Sequence, residues 1–211
     1  MILLCLMIVP ILICIKYSRK IKSDVASSIV KCLIFAIITI LSNGLSAFSG
    51  NETFSYIMEA LYRFSFDMML IYVLQYSQQY TRVFHEVSPF KKGCFIIAYL
   101  DGILLFLNII FHNVFTIETV RFPNFDMYHV ADKSIIFYFH YVFAYGLVVC
   151  IIASFIIKII QIPDFYRKKY LPILVLICVI TVSKFICVIS EFPIDVSLPF
   201  FDGYHWCREI R

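Results

Sequence analysis

The sequence predicts an all-α membrane protein: a polytopic transmembrane helical bundle of six helices with a short or incomplete seventh. Three observations carry that expectation. The chain is 62% hydrophobic and 18% aromatic with only 15% charged residues, and its mean hydropathy is +0.89, far outside the range of soluble domains. Apolar runs of helix length recur along it, separated by charged or turn-rich breaks, as expected where each crossing of a bilayer takes about 20 residues. Lys and Arg collect in alternate loops. At about 20 residues per crossing, 211 residues hold about six or seven helices. Residues 1–211 therefore read as a single membrane-embedded domain with no soluble output domain.

The first run, "MILLCLMIVPILICI", predicts a helix near 1–16. Its basic residues follow it instead of preceding it, and no small-residue cleavage site appears, so it reads as an anchor helix and not as a signal peptide. Beyond the break "YSRKIKSD", the next run predicts a helix over 25–47, ended by "SNGLSAFSGNET". A third helix is expected over 54–79 and a fourth over 93–112, with "TRVFHEVSPFKK" between them. The long connection "HNVFTIETVRFPNFDMYHVADKS" reads as a loop. A fifth helix follows over 135–161, then "PDFYRKKY", a sixth over 170–190, and an incomplete seventh from about 194.

Orientation follows from the basic residues, which resist translocation. One set of loops and helix ends holds eleven: Lys16, Arg19, Lys20, Lys22, Arg82, Lys91, Lys92, Lys158, Arg167, Lys168 and Lys169. The opposite set holds Arg121 and Lys133. The first set is expected in the cytoplasm, which puts the N-terminus outside a cell inner (plasma) membrane crossed several times. The net charge of +4 records this bias and implies no nucleic-acid partner. Eight cysteines fall in or beside apolar runs without a CxxC pair. They are expected to pack between helices, with no disulfide scaffold or zinc knuckle.

Ionisable residues within the apolar runs are the candidate site. Glu59, Arg63 and Asp67 stand four apart in "MEALYRFSFDMM" and share one helix face, where Arg63 would pair with both carboxylates. Asp101 and Asn108 lie in "YLDGILLFLNII", His140 in "FYFHYVF" and Lys184 in "ITVSKFICVIS". Such groups turn inward, pair, and mark pathways or ligand counter-ions, because facing lipid costs several kcal/mol. Together they predict a buried polar network around an outward-facing ligand pocket. A purely structural network, with Glu59, Arg63 and Asp67 paired internally and Asp101 paired to Lys184, is the open alternative.

Enzymatic activity is not expected, since HExxH, GxSxG, a Gly-rich phosphate loop and EF-hand spacing are all missing from the sequence. No cofactor is expected. His112, Asp126, His129, Asp132 and His140 gather around the outer loop and offer zinc-type donors, but their spacing matches no ligand pattern and no metal centre is expected. The stretch "RFPNFDMYH" suggests a lid over the pocket.

"FDMMLIYVLQYSQQY", "YLDGILLFLNIIFHNVF", "PDFYRKKYLPILVL" and "PIDVSLPFFDG", taken together over nearly the whole chain, resemble the N-terminal seven-helix sensory region of bacterial histidine kinases. The same module precedes diguanylate cyclase (GGDEF) domains. The resemblance implies a membrane receptor that hands a signal through its last helix to a cytoplasmic kinase or cyclase output domain, or to a separate partner. It carries over to Asp101 and Asn108, and to Asp195 through Ser197 as the signal-transmission group. Glu59, Arg63 and Lys184 are nominated on physical grounds alone. The family pattern is left at "FDGYHWCREIR", where the apolar character gives way and no kinase or cyclase sequence follows.

The expected function is thus a sensor for a small molecule or membrane signal. A small transporter or permease subunit using the buried charges is the alternative, and a structural membrane subunit a third reading. Expected partners are the lipid bilayer, an unknown small ligand and the output protein. Family sensors act as dimers, so a homodimer is left open, with no dimer face legible in these residues.

Overall fold

A computed structural model describes residues 2–48, 51–83, 88–121 and 126–189. In chain order these form α1 (Ile2–Ser18), α2 (Asp24–Phe48), α3 (Glu52–Thr81), α4 (Ser88–Phe111), β1 (Phe115–Arg121), β2 (Asp126–Lys133), α5 (Ile135–Gln161) and α6 (Asp164–Ile189). The helices stand where the apolar runs put them, with starts up to six residues earlier than expected. The earliest is α6, which begins directly after Pro163. There Arg167 pairs with Asp164 at 2.6 Å, and its Nε donates to the Ile159 and Ile162 carbonyls at 3.0 and 3.3 Å. Those bonds satisfy carbonyls that the end of α5 leaves open.

The fold is mostly helical, not all-α, because the expected outer loop forms an antiparallel hairpin. Ile117 pairs with Val130 and Arg121 with Asp126, with an irregularity between Phe115 and Ile117. Phe115 and Ile117 point inward and Glu118 outward, the two-residue alternation of a strand with one buried face. The Ile117 N–H donates to the Tyr56 hydroxyl at 3.0 Å, which ties the hairpin to the start of α3.

α3 is the hub, packing against α2, α4, α5 and β1. Its contact with α2 is lined by small and hydroxyl residues. The Ser28 hydroxyl donates to Gln79 at 2.8 Å, Thr39 to Ser65 at 3.0 Å and Ser46 to Glu59 at 3.2 Å. Small side chains let helix backbones approach, and each such bond satisfies a group that hydrocarbon would leave bare. On the other flank, a Cβ placed on Gly102 of α4 would stand 2.5 Å from Cδ2 of Phe64, so only glycine admits α4 this close.

Polar side chains are buried beside an apolar core, while many large apolar ones stand outside. Asp67, Ser65, Ser77 and Asn108 are fully buried, while Ile103, Ile110, Val142 and Ile160 are exposed. Exposed apolar surface on that scale suits helices that face lipid. Among the described residues, three helices are long and apolar enough to cross a membrane: Asp24–Ser46, Pro89–Phe111 and Ile135–Gln161. The charges on α3 lower its hydropathy.

Candidate functional site: two buried charge clusters beside an apolar cavity

Glu59, Arg63 and Asp67 occupy one face of α3, as expected, but they do not form one chain of ion pairs. Arg63 Nη2 donates to Glu59 Oε1 at 2.5 Å, and Glu59 Oε2 accepts from Ser46 of α2. Arg63 Nη1 donates to the Tyr141 hydroxyl of α5 at 3.3 Å. The guanidinium lies 4.2 Å from the Phe137 ring centre and within 5.8 Å of those of Phe115, Tyr141 and Tyr62. Aromatic faces attract a cation, most of all where water is excluded. This cage joins α3, α5 and the hairpin.

Asp67 turns instead to α4 and α5. His140 Nδ1 stands 2.8 Å from Asp101 Oδ2, as a hydrogen bond, and 3.2 Å from Asp67 Oδ2. The second contact has the distance of an ion pair without hydrogen-bond geometry, so both Asp67 oxygens are buried with no hydrogen-bond partner. All three residues are at most 2% exposed. Asp101 thus pairs with His140, and the alternative pairing with Lys184 lies outside the described side chains. Asp67, Asp101 and His140 are the one group of three His, Cys, Asp or Glu side chains, among the described residues, that could hold a metal ion, with donor atoms within 4.8 Å of one another. Of the outer-loop set, His112, His129 and Asp132 do not form such a group among the described residues, and the side chain of Asp126 lies outside those described.

Asn108 is buried but faces neither cluster. Its Oδ1 accepts from the Val114 and Phe115 N–H groups at 2.6 and 3.3 Å, and its Nδ2 donates to the Phe115 carbonyl at 2.9 Å. That clamp turns the chain from α4 into β1 just after His112, whose φ of 48° is left-handed. Lys184 falls on α6 with its side chain beyond those described, and Asp195 and Ser197 lie outside the described residues.

Between α3, α5 and α6 lies a cavity of about 260 Å³ walled by Phe66, Met69, Val73, Val148, Ile151 and Ile177, among others; among the described residues, Arg63 and His140 are its ionisable groups apart from tyrosines. The α3 wall runs from Tyr62 to Val73, about 16 Å along the axis at the helical rise. The aromatic cage around Arg63 is not among the residues singled out from the sequence. Phe137 and Tyr141, four apart on α5, carried a usable signal, since residues at that spacing share a face. Neither a protein-family profile nor any curated protein sequence matches the chain.

Proposed function

We propose that the chain is the membrane-embedded receptor part of a bacterial signalling system. Its six helices cross the plasma membrane with the N-terminus outside, and an incomplete seventh leads to a kinase or cyclase partner. A small, mostly apolar ligand with an anionic group binds between α3, α5 and α6. One observation carries this reading: Arg63 lines a mostly apolar cavity, and its buried Nε has no hydrogen-bond partner. A buried donor left unmade costs about 1–3 kcal/mol, and a ligand carboxylate would satisfy it. Occupancy shifts α6 only in so far as the ligand prefers one helix arrangement to another. The likeness of the α3, α4 and α6 segments to seven-helix sensory regions supports the same reading.

The test is equilibrium binding of a fluorescent medium-chain carboxylate to purified protein in lipid nanodiscs. Arg63→Met removes the anion's partner and Val148→Trp fills the cavity, so both are expected to weaken binding at least tenfold. Wild-type affinity in both variants rejects the site.

The transporter reading is favoured by one observation, the Asp67, His140 and Asp101 chain across three helices, since buried acids and His suit ion relays. Substrate or proton flux into proteoliposomes would decide for it over the receptor.

A further inference from the structure

We infer that Asp67, Asp101 and His140 form a binding site for a divalent transition-series cation such as Zn2+ or Mn2+, which joins α3, α4 and α5 inside the bundle. The inference stands apart from any ligand in the neighbouring cavity.

Ligand bonds of about 2.0–2.1 Å to imidazole and carboxylate give donor-to-donor edges of about 2.8–3.4 Å around an octahedral or tetrahedral ion. The His140 Nδ1 distances to Asp101 Oδ2 and Asp67 Oδ2 are 2.8 and 3.2 Å. The second observation is Asp67 itself, which is fully buried with both oxygens lacking a hydrogen-bond partner and one of them turned to His140. Buried carboxylates are ordinarily hydrogen-bonded, because an unsatisfied one carries its whole desolvation cost.

Charge gives the same answer. Among the described side chains, Glu59, Asp67 and Asp101 are three buried carboxyl groups set against Arg63 and His140, one more acid than base even when the imidazole is protonated. Burying unpaired charge is expensive. A divalent cation that takes the Nδ1 position of the proton balances both aspartates, while Glu59, at 2.5 Å, already balances Arg63. One nitrogen and two carboxylates, with no thiolate, form a donor set for Zn2+, Mn2+ or Fe2+ and a poor one for Cu+. Sequence patterns cannot display it, because the donors come singly from three helices.

The experiment takes the full chain, purified in detergent and stripped with chelator, and titrates it with Zn2+ and Mn2+ by calorimetry. One ion per chain is expected, with affinity falling on the order of 100-fold or more in Asp67→Asn, Asp101→Asn and His140→Gln. The exposed-carboxylate control Asp164→Asn should bind as the wild type does. X-ray absorption of the zinc-loaded wild-type protein gives a readout that needs no variant: a shell of nitrogen and oxygen with one imidazole. A sulfur shell, no binding up to millimolar metal, or unchanged affinity in the three variants would overturn the site.

Discussion

His140 Nδ1 and Asp101 Oδ2 share a hydrogen bond of 2.8 Å across 39 positions of sequence, and the residue after Asp101 sets how closely α4 packs on α3. Gly102 faces the ring of Phe64 at a distance where a Cβ would stand 2.5 Å away. Gly102→Ala is therefore expected to push α4 outward and to cost about 1–3 kcal/mol by overpacking. Adding Phe64→Leu should recover part of that loss. Denaturation in mixed micelles measures both variants, and additive effects would show that the contact does not set the helix spacing.

Removing one member of the Glu59 and Arg63 pair strands a charge in the interior. Glu59→Gln is expected to lower stability by about 3–5 kcal/mol. The double variant Glu59→Gln with Arg63→Met should lie well above the sum of the single losses. Thermal unfolding of the three proteins in the same detergent checks the order.

Asn108→Ala leaves two N–H groups and a carbonyl at the α4 to β1 junction without their partners, at about 1–3 kcal/mol for each buried group. Hydrogen exchange should accelerate across Val114–Lys133 while the middle of α5 keeps its protection. Asn108→Asp preserves the two acceptor bonds and is expected to fall between wild type and alanine.

The charge bias predicts opposite sides for the hairpin and the α5 to α6 connection. In a cysteine-free background, Glu118→Cys should react with a membrane-impermeant maleimide in intact cells and Asp164→Cys only after permeabilisation. The reverse pattern would invert the proposed orientation.

The sequence by itself determined the helical class, the six apolar runs and the inward habit of the charged residues. All three follow from the cost of putting polar groups into hydrocarbon, which depends on residue type and order alone. It did not determine the hairpin. "TIETV" and "MYHVA" flank "FPNF" as strands flank a turn, but the polar residues in both resemble a solvated loop until Tyr56 and Asn108 supply partners from other elements. Nor did it determine which charges meet. Spacing put Asp67 on the same α3 face as Arg63, whereas its nearest charged partner is His140 on α5. Helix periodicity fixes the face a residue occupies, but rotation and closeness between helices, set here by Gly102, Phe64 and the small residues of α2, decide whom it touches.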